Sequence, residues 1–143
     1  VIVVDVNVLI FAYNADAPQH ERVRRWLEGA LSGSERIGIP WAVLHGFLRI
    51  TTNTPAIKPP FLTTDAVAIV EEWFSSPAVT VVEPGPRYWS IFRTLLVDAQ
   101  VKGALVSDAH IAALAMENDA SVCTTDRDFR GFTGLRLINP LLG

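Results

Sequence analysis

The chain opens on Val1-Ile2-Val3-Val4, four apolar and mostly β-branched residues in succession, and ends the run with Asp5. A run without alternation has no side meant for water, so as a strand it must be covered on both faces. Helices give that cover when they connect parallel strands. The pattern then recurs: Ile37–Ile39, Val79–Val82, Ser121–Thr125 and Leu135–Ile138 are further short strand candidates.

Segments of helical periodicity lie between them. Over about 18–31, Val23, Trp26, Leu27, Ala30 and Leu31 share one side, Arg22, Arg24, Arg25 and Glu28 the other, and Ser32-Gly33-Ser34 ends the helix. Pro40 suits the first turn of a helix over about 40–52, where its missing N–H costs nothing. Pro55, Pro59 and Pro60 make 53–61 a loop. Thr63 or Thr64 caps a helix reaching about Ser75, with Val67, Val70, Trp73 and Phe74 as its apolar side. A helix over about 86–101 turns Trp89, Phe92, Leu95, Leu96 and Ala99 inward and stops before Gly103. Ser107 or Asp108 caps an alanine-rich helix to about Asn118. Trp41 and the other tryptophans fall at core spacing, which predicts packing roles.

The expected architecture is therefore α/β: a three-layer α/β/α sandwich around a mostly parallel, roughly five-stranded sheet, with residues 1–143 forming one domain. Half of the residues are hydrophobic, enough for a sizeable core. No apolar stretch reaches the roughly 18 residues of a membrane span. The N-terminal run has no basic start and carries Asp5 inside it, unlike a signal peptide. Cys123 is the one cysteine, so no internal disulfide can form, and its apolar neighbours make it a small buried hydrophobe. These features predict a cytoplasmic protein without membrane contact.

In parallel sheets, ligands bind beyond the carboxyl ends of the strands. Asp5 closes the first strand, Asp126 follows the fourth, Asp108 opens a helix, and Asp128 lies two residues past Asp126. If the first and fourth strands are neighbours, all four reach one rim. Carboxylates crowded together repel unless a cation neutralises them, and their oxygens suit hard divalent ions. Each has a plainer reading as well. Asp108 can be a helix cap, and Asp126 and Asp128 can be turn formers ahead of Gly131. Asp5 resists such a reading, because an acid ending an otherwise apolar central strand has little structural reason to be there.

Other chemistries lack support. His20, His45 and His110 show no metal-ligand spacing and read as structural or surface residues. Ser34, Ser107 and Ser121 lack a nucleophile-elbow context, and no glycine-rich dinucleotide or nucleotide-triphosphate loop occurs. The net charge of −3 argues against a basic nucleic-acid binder. It leaves room for one that meets phosphate through cations held by carboxylates.

Three motifs in order carry a resemblance. Asp5-x-Asn7-x-Leu9-Ile10, Ser107-Asp108-Ala109-His110-Ile111-Ala112-Ala113 and Thr124-x-Asp126-x-Asp128-Phe129 resemble the PIN-domain family, and more narrowly the VapC toxins of bacterial toxin–antitoxin pairs. The segment Trp41–Asn53 is similar to a mycobacterial branch of these toxins, and the likeness runs on to Asn139-Pro140-Leu141. It implies a Mg²⁺- or Mn²⁺-dependent endoribonuclease that cuts tRNA or rRNA and stops translation. A VapB-type antitoxin and a toxin homodimer are implied with it. Carried over by position, Asp5, Asp108 and Asp126 are metal ligands, Asp128 assists directly or through water, Asn7 orients the Asp5 carboxylate, and Thr124 does the same near Asp126. Arg49, Arg127 and Arg130 are candidate contacts to the RNA backbone.

The chain departs from the family at one place. Many PIN domains carry a glutamate on the second helix, at about the position of Gly46, whereas no acidic residue occurs from Pro40 to Phe61. The site is then one carboxylate leaner, and whether it takes one or two metal ions stays open. Two rivals follow. A haloacid-dehalogenase-like phosphatase needs a second acid two residues after the first, and Asn7 cannot donate that proton. A catalytically poor interaction module would use the acidic rim to receive basic groups of an antitoxin.

Overall fold

The structure, a computed structural model, describes residues 1–53 and 55–142; position 54, in the expected proline-rich loop, and position 143 lie outside the described residues. The strands are β1 (Ile2–Val4), β2 (Ile37–Pro40), β3 (Val79–Val82), β4 (Ser121–Cys123) and β5 (Leu137–Ile138). The helices are α1 (Val6–Tyr13), α2 (His20–Leu31), α3 (Trp41–Thr51), α4 (Thr63–Ser75), α5 (Tyr88–Asp98) and α6 (Leu105–Glu117). A short 3-10 helix covers Arg127–Gly131.

All strand pairs are parallel, in the order β3-β2-β1-β4-β5. The chain winds outward from β1 to β3, then returns to the other side of β1 to lay down β4 and β5. The β1–β4 boundary is thus the point where winding reverses, and adjacent connections leave a crevice at the carboxyl ends there. Val4 pairs with Cys123, so Asp5 and Thr124 leave the sheet side by side. The helices pack in two groups, α1 to α4 and α5 with α6, as right-handed crossovers on the two sides of such a sheet require. Val3, Val4, Ile37, Ile39, Val122 and Cys123 are all but sealed from solvent, as the uninterrupted apolar runs predict.

One helix falls where the periodicity marks no element, and two expected caps are not made. Val6–Tyr13 shows no polar stripe, yet it is a helix: Asp5 turns the chain out of β1, and its carboxylate accepts the Val6 N–H as an N-cap. Helix α6 begins at Leu105 behind an Ala104 cap that makes no side-chain bond, so neither Ser107 nor Asp108 caps it. Leu62, not a threonine, precedes α4, again without a side-chain cap.

The tryptophans divide. Trp73 is fully buried, edge-on to Phe47, and donates its indole N–H to the Tyr13 hydroxyl at 2.9 Å. Trp41 and Trp89 are 47% and 63% exposed, against the expected packing role, as is the outward Phe74. Periodicity locates a helix face but not what covers it. Among the described residues, no helix is long and apolar enough to cross a membrane.

Candidate functional site

Four carboxylates reach the crevice, each from the beginning of a helix. Asp5 is the N-cap of α1, Asp126 the N-cap of the 3-10 helix, Asp108 lies in the first turn of α6, and Asp128 in the first turn of the 3-10 helix. Asp108, Asp126 and Asp128 each present an oxygen within 4.8 Å of the others. Three carboxylate oxygens at that spacing surround a position that a hard cation can occupy, with water completing its shell. The donor chemistry fits Mg²⁺ or Mn²⁺.

Asp5 stands outside that trio and is held differently. It is only 6% exposed; Oδ1 accepts the Val6 N–H at 2.8 Å, and Oδ2 accepts the Thr124 hydroxyl at 2.8 Å and the Asn7 amide at 3.2 Å. Oδ1 keeps a lone pair for another partner. Thr124 is the hub: its Oγ1 donates to Asp5 and accepts from Asn7 Nδ2 (3.2 Å) and the Asp126 N–H (3.0 Å). Asn7 Oδ1 accepts the Thr125 N–H at 3.3 Å, and Asp126 Oδ1 accepts the Asp128 N–H at 2.9 Å. The knot ties the end of β1 to the end of β4 and fixes where both acids point.

Electrostatics register the crowding. Burial pushes the Asp5 carboxyl up, the bonds from Thr124 and Val6 pull it down, and the Asp126 charge pushes it up again. Asp108 rises to about 6, first from burial and then from the charges of Asp5, Asp126 and Asp128. It has no side-chain hydrogen bond among the described residues, so no donor there offsets that penalty. Cys123 is buried in β4, and burial with the nearby Asp5 charge pushes its thiol well up, which fits an inert packing residue.

A cleft of about 440 Å³ adjoins the acids, lined by Asp5 and Asp108 on one side and by Gly46, Arg49, Tyr88, Phe92 and His110 around the rest. Gly46 lies directly on it, where the chain lacks the glutamate common in the family. Arg127 and Arg130 are exposed on the 3-10 helix. The periodicity marks Phe92 only as an inward packing residue and gives Tyr88 no role. Their four-residue spacing puts them on one helix face, but only the packing of α5 against α6 brings that face to the carboxylates.

The family model for the PIN domain matches residues 2–135. The chain belongs to the PIN-domain family, in its VapC branch. This PIN domain is 38% identical over 138 residues to the ribonuclease VapC37 of Mycobacterium tuberculosis, covering 96% of both chains. Its fold matches VapBC2 of Rickettsia felis, solved bound to a DNA fragment from their promoter, with a TM-score of 0.72 at 15% identity, over 96% of this chain and 97% of that one. It also matches VapC20 of Mycobacterium tuberculosis, a sarcin–ricin loop cleaving toxin, with a TM-score of 0.67 at 19% identity, over 95% and 99% of the two chains.

Proposed function

We propose that this PIN domain is a metal-dependent endoribonuclease, the toxin of a toxin–antitoxin pair. The observation that carries the proposal is the convergence of Asp108, Asp126 and Asp128 within 4.8 Å beside the buried Asp5. The ribonuclease activity named for its full-length relatives supports the same reading.

Asp108, Asp126 and Asp128 would hold Mg²⁺ or Mn²⁺, with the Asp5 carboxylate beside them, which moves Asp128 from an assisting role into the ligand set. A divalent ion there would make a water nucleophilic at neutral pH and offset charge gathering on a scissile phosphate. The chain's own contribution is positioning. Thr124 and Asn7 hold Asp5 in one orientation, and the Asp128 N–H holds Asp126. Asp108 sheds its proton most easily when a cation replaces it, so cation binding releases protons below pH of about 6.

The substrate is a structured RNA with unpaired nucleotides, a tRNA or an rRNA loop, for which the loop-cutting activity of VapC20 is the support. A VapB-type antitoxin, on the analogy of the VapBC assembly of the same fold, and a homodimer, which the family resemblance implies, complete the proposal.

The test is cleavage of total RNA by purified protein, with end mapping, in Mg²⁺ and in chelator. We expect discrete cuts that vanish with chelator and with Asp126→Asn. Equal cutting by that variant, or in chelator, would overturn the assignment.

A further inference from the structure

We propose that the cleft beside the carboxylates is a nucleobase subsite: it seats one unpaired base flanking the scissile phosphate, stacked on Phe92 and read at its edge by His110. The proposal rests on the nuclease reading and names how that site holds its substrate.

The first support is continuity. Asp5 and Asp108 line the cleft themselves, so whatever fills it lies against the proposed reaction centre. Its volume of about 440 Å³ is within the range of small-molecule sites.

The second is chemistry. Tyr88 and Phe92 stack at a centroid distance of 5.3 Å with planes 19° apart, and the His110 ring stands edge-on to both, at 5.4 and 6.4 Å. Val43, Ile50 and Ile111 are among its apolar lining. This apolar and aromatic part of the lining suits a base face, as in other single-strand readers.

The third is the placement of polar groups. The Tyr88 hydroxyl is hydrogen-bonded to His110 Nδ1. The phenol is the natural donor of the pair, which leaves the proton of neutral His110 on Nε2. Nε2 has no partner among the described residues and can donate to a base edge. Arg49 lines the same cleft, is exposed, and makes no ion pair among the described residues, so it is free to meet an adjoining phosphate.

Gly46 gives the cleft its room. A Cβ there would come within 3.2 Å of Val6 Cγ2, and a longer side chain would extend over the space the base needs.

The experiment compares wild type with Phe92→Leu, which keeps apolar volume but loses the ring face, and with Tyr88→Phe, which keeps the ring but frees Nδ1. Cut sites in total RNA are sequenced first, and KM and kcat are then measured on a synthetic RNA spanning the commonest site. We expect wild type to prefer one base at a position next to the cut. Phe92→Leu should raise KM about tenfold, with the loss in KM rather than kcat. Tyr88→Phe should relax the base preference. An abasic nucleotide at that position should cost wild type about tenfold and Phe92→Leu almost nothing. Unchanged KM and preference in both variants, with cutting intact, would overturn the subsite and leave the nuclease reading standing. No cutting by wild type would overturn the nuclease reading. The subsite would then be decided by anisotropy with the same labelled RNA: weaker binding by Phe92→Leu supports it, equal binding overturns it.

Discussion

Asp108→Asn removes one charge from the crowded rim and breaks no hydrogen bond among the described residues, so it isolates the cost of that charge. The Asp108 carboxyl is raised from 3.8 to about 6 by burial and by Asp5, Asp126 and Asp128. Taken at face value the shift is worth ~3 kcal/mol; for a half-buried group, solvent screening reduces this to about 1 kcal/mol. The sign follows from proton counting. Between the unfolded and folded values the native state binds more protons, so stability from Asp108 is full below about pH 4 and lost as the pH rises through about 6. Asparagine has no such loss. In chelated buffer, the melting temperature of Asp108→Asn relative to wild type should therefore climb by about 3 °C from acid to mildly alkaline pH, given the unfolding entropy of a domain this size. Adding Mg²⁺ should reverse the order, because a ligand at 100 times its dissociation constant stabilises wild type by about 2.7 kcal/mol and the variant by far less. Scanning fluorimetry across pH, with and without Mg²⁺, reads both effects. A difference that stays flat with pH in chelator would refute the mutual repulsion. A Mg²⁺ response equal in both proteins would refute the role of Asp108 in holding the ion.

Three further outcomes follow. Thr124→Val should cost about 2 kcal/mol and lower the melting temperature by about 6 °C, since the hydroxyl is buried and Asp5, Asn7 and the Asp126 N–H all lose a partner; denaturant unfolding and RNA cleavage should both show the loss. Gly38→Ala should destabilise by about 1–3 kcal/mol, because a Cβ at that position of β2 would press into Val82 Cγ2; a urea midpoint measures it. Gly46→Glu, once Val6 shifts by a few tenths of an ångström, places a further acid on the cleft. Calorimetry should then show severalfold tighter Mg²⁺ binding, with weaker RNA binding as the cleft fills.

Asp5 stands out in the sequence because a charge closing an apolar strand has few structural reasons to exist, yet the structure supplies one, the N-cap of α1. Asp108 does not stand out. Its candidacy as a cap depended on where α6 starts, and Ala104-Leu105-Val106 carries no side-chain cap to mark that point. The convergence itself lies in the strand order, since β1 beside β4 joins residues almost a chain length apart and leaves no local pattern. Helix α1 was missed for a related reason: Val6–Tyr13 is apolar but for Asn7 and the Tyr13 hydroxyl, so its periodicity could not separate helix from strand. Spacing placed Trp89 with Leu95 on an inward face, yet Trp89 projects to solvent while Leu95 is buried, because α5 packs along a narrower stripe than its apolar residues offer. The cleft was the least legible part, because it belongs to no single element.

The position of each acid at a helix start explains how so acidic a rim folds at all. Unpaired N–H groups at a helix N-terminus carry partial positive charge, and a carboxylate there gains about 0.3–1 kcal/mol. Asp5 and Asp126 draw on it directly through the Val6 and Asp128 N–H groups. Asp108, one turn into α6 with no such bond, draws on it least and carries the largest resolved upward shift among the acids of the rim. The backbone therefore offsets part of the repulsion and leaves the remainder at Asp108. A rim fully neutralised by its own helices would have little use for a cation, and one with no compensation would protonate or splay. The intermediate case keeps three oxygens together and still leaves a cation with charge to neutralise, which is how a chain of net charge −3 can be suited to meet the phosphates of RNA.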